Sequence, residues 1–390
     1  MEEVNRMKTV FRSIGLGMML AALFAVGSTT VSAQAACEDY DGNAALDAKI
    51  RENYGNDATL KVAIDAGKEY LTKYGSCEVF KDFSDWVKGN MPKWEEAQKR
   101  NEELLWLKPR AERFDMGIKT EKYAEAYAAG NEILAKYPDN LNFMVPLGMI
   151  GLYESYDKNF AFNDDTLKYA RLALAKLKAG AAATKKNPAG QDVYGVFQFE
   201  MTKEDAISDL TYAQAYINYH AKGNKQEGLR YYYETSQLPG KNKENPLVYE
   251  TIGSYYFDEV RKHADEVKKL IEEQKLAPEE EKLAKDQQIK AKIALLNGYA
   301  ERALDAYGRA HRVTKSDAAS KAYKDGLYNL IKQLYALRFE KETGIDAYIA
   351  STVQKPMPNP TSAVQPVTDP ETDADSAAAT TTGSTAMTRP

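Results

Sequence analysis

The sequence predicts an all-α protein built from stacked helix pairs. Apolar residues between about 38 and 353 recur at three- and four-residue spacing, as in Leu60, Ile64 and Leu71 or Leu167, Ala170, Leu174 and Leu177. Ala, Leu, Glu and Lys abound there, β-branched runs are scarce, and no alternating stretch reads as a convincing strand. Residues 66–74 match residues 129–137 at six of nine positions, an internal echo 63 residues apart. The chain has 390 residues, 28% charged, with a net charge of −5, which excludes collagen-like and wholly disordered chains. The mildly acidic balance lacks the basic footprint of a nucleic-acid binder.

Residues 1–35 read as an export signal. Met7-Lys8 opens a basic start, an apolar run extends from Ile14 to Val26, and Ala33-Gln34-Ala35 supplies a small-x-small end. The run is too short to span a bilayer, which needs about 20 residues. The mature chain is expected to begin between Gln34 and Cys37, to carry no transmembrane segment and to reside in a periplasmic or extracellular compartment. A lipid-anchored chain also carries a cysteine at such a position, but Gln34 stands where leucine belongs. The oxidising setting favours instead a disulfide between Cys37 and Cys77, which closes a loop worth about 4 kcal/mol in the chain-entropy view.

The helical middle, residues 36–354, opens its stripes with capping residues: Asn56-Asp57 precedes Leu60, and Asp164-Asp165 precedes Leu167. The echo's offset is close to twice 34 residues, and several segments carry a helix-turn-helix pattern with that period. Residues 249–256 hold Tyr, Ile-Gly and Tyr at the first-helix spacing. Met144 and Leu147-Gly148 hold it without the last aromatic, where Gly151 stands. Tyr212, Ala215, Tyr216 and Tyr219 form an aromatic variant, with Gly223 at the turn and Gly228 and Tyr232 beyond. Ala126 with Pro138, and Ala303 with Tyr307, occupy second-helix positions. On these residues the chain resembles the tetratricopeptide repeat (TPR) family over about 44–316. The resemblance implies a right-handed α-solenoid, because a single helix pair cannot bury its own apolar face. Residues 78–106, with Trp86, Trp94 and Trp106, fit the motif poorly. So do residues 179–206, which read as an irregular insertion.

From Asp258 to Lys292 charge is dense, yet Val260, Ala264, Val267 and Ile271 keep a helical stripe. Ala277-Pro278 followed by three glutamates marks a break and a restart, with proline and acids at the positive helix end. Opposite charges four apart, Asp265–Lys269, Glu281–Lys285 and Asp286–Lys290, support both arms. The prediction is a long antiparallel hairpin over 247–313, with helices over about 247–276 and 278–313. Residues 355–390 are rich in Pro, Thr and Ala, hold no aromatic residue, and read as a disordered tail.

The chemical motifs are absent. The sequence has no phosphate loop, no dinucleotide-binding glycine pattern, no His-Glu-x-x-His and no nucleophile elbow. The three histidines lie far apart, and acid pairs such as Asp164-Asp165 read as helix caps. The expectation is a chain that catalyses nothing and holds neither cofactor nor metal. The unusual feature is 26 Tyr against 12 Phe, since tyrosine gives contact area and a hydroxyl at low entropic cost. Consecutive Tyr231, Tyr232 and Tyr233 cannot all face one core. Carried over from the resemblance, the groove-lining positions are Lys108, Asp115, Asn142, Met149, Ile217, His220, Glu250 and Phe257. This mixture departs from the Lys/Asn cluster that clamps a terminal carboxylate in some TPR proteins. The expected function is an exported scaffold that binds a protein or peptide. The alternative is a module for cell-envelope glycan that stacks sugars on exposed tyrosines, with Tyr156-Asp157-Lys158-Asn159 as its best segment.

Overall fold

The computed structural model describes residues 36–368. The expected signal over 1–35, and the tail from 369 onward, lie outside the described residues. The chain divides into two compact units, the first ending at Glu112 and the second beginning at Arg113.

In the first unit α1 (Tyr40–Asn53) pairs with α2 (Leu60–Tyr74), and α3 (Lys81–Lys119) begins after a short 3₁₀ turn. Asp39 caps α1: one carboxylate oxygen accepts from the Gly42 N–H at 2.9 Å, and the other accepts from the Tyr74 hydroxyl at 2.7 Å. The hydrogen bond from Tyr74 holds the Asp39 carboxyl below its ordinary range, and the same bond pushes the phenol up to about 12. The region that fits no repeat motif is the start of α3. Its Val87, Met91 and Trp94 close the core over Ile50, Tyr70 and Tyr74, and Trp86 packs beside them. Helix α3 carries Pro92 and Pro109 inside it, each of which removes one backbone donor. Cys37 and Cys77 are joined in a disulfide with Cα atoms 5.4 Å apart, linking the start of α1 to the end of α2.

The second unit continues through α4 (Tyr123–Lys136), α5 (Leu141–Leu147), α6 (Ile150–Tyr156) and α7 (Asn163–Lys178). After a small sheet come α8 (Lys203–Tyr216), α9 (Lys225–Gln237), α10 (Pro246–Leu276), α11 (Glu279–Val313), α12 (Lys321–Phe339) and α13 (Ile345–Thr352). Helices close in sequence pack on one another: α4 on α5, α7 on α8, α8 on α9, α9 on α10, α10 on α11, and α11 on both α12 and α13. At Gly253 a Cβ would lie 3.0 Å from the Tyr307 ring, so the motif glycine is what lets α10 and α11 close up.

The long hairpin consists of a 31-residue helix and a 35-residue helix, about 46 and 52 Å at 1.5 Å per residue. Asn245 caps α10, and Pro246 occupies its first position. Lys290 bonds Asp286 as the spacing predicts, but Lys285 reaches across to Glu273 at 2.6 Å and Lys292 to Glu266 at 2.7 Å. No helix among the described residues is long and apolar enough to cross a membrane.

Three features differ from the sequence reading. Residues 179–206 contain a three-stranded antiparallel sheet, β1 (Lys185–Lys186), β2 (Asp192–Tyr194) and β3 (Met201–Thr202). Strands of two or three residues are too short to show alternation. The stretch 141–156, which carries one first-helix motif, forms two seven-residue helices broken at Gly148-Met149. Finally, residues 355–368, the first part of the expected disordered tail, are seated against the fold. Met357 and Pro360 are buried, and the Val367 N–H donates to the Ala294 carbonyl of α11 at 2.7 Å.

Candidate partner-binding surface

Tyrosine is where the second unit concentrates its polar-aromatic surface. Helix α6 presents Tyr153 and Tyr156, 43% and 46% exposed. Their orientation is fixed by what lies beneath them: Tyr153 packs edge-on against Phe199 at 5.8 Å, and Tyr156 against Tyr216 of α8 at 4.8 Å. Helix α8 then passes into a π turn over Ile217–Ala221, where the Lys222 N–H reaches back five residues to the Ile217 carbonyl at 2.9 Å. The turn places the exposed His220 ring 4.6 Å from Tyr216 and 4.8 Å from Tyr219. The His220 Nε2 lies 3.2 Å from the hydroxyl of the fully buried Tyr232. Rings of α6, α8, the π turn and α9 are therefore in continuous contact.

Charged groups lie within the electrostatic field of these rings. Asp209 is buried: it accepts from the Asn242 amide at 2.6 Å and pairs with Lys241 at 2.8 Å. Burial pushes its carboxyl above the ordinary range, against the pull of Lys241. Glu250 on α10 accepts from the Tyr323 hydroxyl of α12 at 2.5 Å. Burial raises the phenols of Tyr156, Tyr212, Tyr216 and Tyr232, and burial together with the Glu250 bond raises that of Tyr323. These phenols stay protonated at neutral pH. Of these, Tyr156 is exposed and Tyr216 half-buried, while Tyr212 and Tyr232 lie in the core.

The predicted lining residues divide. His220 and Glu250 lie on or beside the tyrosine network. Asn142 is half-buried, and its amide donates to the Thr184 hydroxyl at 2.7 Å. Asp115 is half-buried near the end of α3, and Lys108 is exposed on the part of α3 that belongs to the first unit. Met149, Ile217 and Phe257 are buried at 2% exposure or less, so they form core rather than surface. Carrying lining positions over from a repeat motif assumes regular helices. The break at Met149 and the π turn at Ile217 turn side chains inward that an unbroken helix would point out, and Phe257 is covered within the overlong hairpin. In the sequence, Tyr156 is reached only through the segment Tyr156-Asp157-Lys158-Asn159 and Tyr216 only through the aromatic repeat variant, and no motif points to Tyr153. Among the described residues no group of His, Cys, Asp and Glu is arranged to hold a metal ion.

No family model matches the chain, and no curated protein or solved structure matches it at a significant level.

Proposed function

We propose that the protein is an exported scaffold that binds an extended segment of a protein partner over the tyrosine surface of α6, α8 and the π turn, and that it catalyses nothing. In this reading the second unit is a TPR-like right-handed solenoid, in which α5 with α6, α8 and α10 carry the first-helix motif. The observation that carries the proposal is the pair of half-exposed tyrosines, Tyr153 and Tyr156, locked by rings beneath them. Pre-oriented tyrosine lowers the entropy lost on binding, and tyrosine is enriched in the energetic centres of protein interfaces. The disulfide supports an oxidising, exported setting.

The glycan alternative rests on Tyr156-Asp157-Lys158-Asn159. The Asn159 amide donates to Glu154 at 2.5 Å and its oxygen accepts from the Ala161 N–H at 3.2 Å, which orients the side chain and leaves one donor and one lone pair for a ligand.

The test is photo-crosslinking in the native cells with benzoylphenylalanine at position 156, and at position 40 of the first unit as control. A polypeptide adduct specific to position 156, and lost when Tyr153 is changed to Ser, supports the proposal. A polysaccharide adduct, or equal labelling at both positions, overturns it.

A further inference from the structure

The most specific unexplained arrangement in the second unit is the seat of residues 355–368. One face of α11 carries Ala294, Asn297, Gly298, Arg302, Asp305 and Arg309 at helical spacing. The segment runs over that face with little regular structure. It is held chiefly through its own main chain. Arg302 donates to the Asn359 carbonyl at 3.0 Å, Arg309 to the Lys355 carbonyl at 2.7 Å, and Asn297 to the Val367 carbonyl at 3.4 Å. Gly298 forms the floor: a Cβ there would lie 2.2 Å from the Gln365 carbonyl oxygen and 2.9 Å from Val364. Four apolar residues anchor the segment, Met357 and Pro360 buried, Val364 and Val367 half-buried.

Two properties separate this seat from an ordinary piece of core. Its walls stand without the segment, because α11 is packed on α10, α12 and α13. The segment also fills the seat incompletely, leaving a cavity of about 170 Å³ lined by Gly298, Arg302, Asp305, Tyr348 and Val364 among others. A short stretch held by main-chain bonds at the surface opens at low cost. Contacts to carbonyl oxygens do not read side chains, so selectivity rests on the four anchors.

We propose that this face of α11 is a peptide-binding groove closed in cis by residues 355–368. It accepts in trans a segment of a partner protein that turns as residues 359–362 do, with an apolar residue, proline three positions on, and apolar residues at seven and ten. The covalent tether gives the resident segment a local concentration of about millimolar order, so an incoming peptide competes only when the resident segment is freed or outmatched. This site is separate from the tyrosine surface and does not depend on it.

The experiment uses the full chain with a protease recognition sequence inserted between Val353 and Gln354, two exposed residues before the seat. The folded protein is cut, washed, and titrated with a fluorescein-labelled synthetic peptide of residues 354–368. The expected result is one-to-one uptake by the cut protein, at least 50-fold weaker uptake by the uncut protein, and at least 10-fold loss in the cut Gly298→Val variant with helicity unchanged. A peptide with Met357, Pro360 and Val364 replaced by Ser should fail to bind. The Tyr156→Ser variant should take up the peptide normally. Three results overturn the proposal: cut protein that unfolds or never releases its segment, equal binding to cut and uncut protein, or full binding to the cut Gly298→Val variant.

Discussion

Removing the Cys37–Cys77 bridge is the perturbation whose size can be worked most directly. The bridged residues are 40 apart, and a closed loop of that length restricts the unfolded chain by about 4 kcal/mol at 25 °C. Domains of this kind are stable by about 5–15 kcal/mol, so the loss is a large fraction of the total. The protein supplies its own probe. All three tryptophans, Trp86, Trp94 and Trp106, lie on α3 before Glu112, so their fluorescence reports the first unit. With a urea slope near 1–1.5 kcal/mol/M for a unit this small, the double variant Cys37→Ser/Cys77→Ser should show a tryptophan midpoint lower by about 3 M. Reduced wild-type protein should behave alike, which separates loss of the bond from the effect of the buried serine. A fluorescence midpoint unchanged within about 0.3 M would refute the reasoning.

Other expectations follow from particular contacts. Gly253→Val drives a branched side chain into the Tyr307 ring and should cost about 1–3 kcal/mol, read by calorimetry. Met357→Ala should cost about 2 kcal/mol, at the low end for a buried methionine because its segment can undock; no change in melting temperature would return residues 355–368 to the status of a loose tail. The Asp39 carboxyl sits below its ordinary range, so its contribution is present above that range and is lost as pH falls through the folded value. Asp39→Asn should therefore flatten the dependence of stability on pH between about 5 and 2. Burial, with Lys324 nearby, lowers His311, whose Nδ1 is buried without a hydrogen-bond partner. Its proton resonance should titrate below about 6.5, and its protonation should cost stability as pH falls through that region.

The parts of the fold legible in the sequence are those governed by local signals. The hairpin is written in Pro246, Pro278 and the three glutamates after it, and the helices expected over 247–276 and 278–313 run Pro246–Leu276 and Glu279–Val313. The disulfide was legible because two cysteines flank one helix pair. What stayed hidden depends on tertiary partners. The seat of residues 355–368 is defined by Gly298, far away in sequence, while Met357, Val364 and Val367 are diluted among proline and threonine. The π turn at Ile217 adds one residue to a helical turn without any composition cue, and it moves Ile217 into the core while leaving His220 on the surface. Of the site, the tyrosine excess was visible, but which rings face outward was settled by Phe199 and Tyr216 packing beneath Tyr153 and Tyr156.

The central claim is that the tyrosine surface recognises polypeptide. The most direct measurement applies the full chain, side by side, to a random peptide library and to a glycan array, and repeats both with the Tyr153→Ser/Tyr156→Ser variant. The account predicts peptides selected by the wild-type chain whose affinity falls at least 10-fold in the variant, with melting temperature retained. Glycan binding without peptide binding, or peptide binding indifferent to the two substitutions, would contradict it.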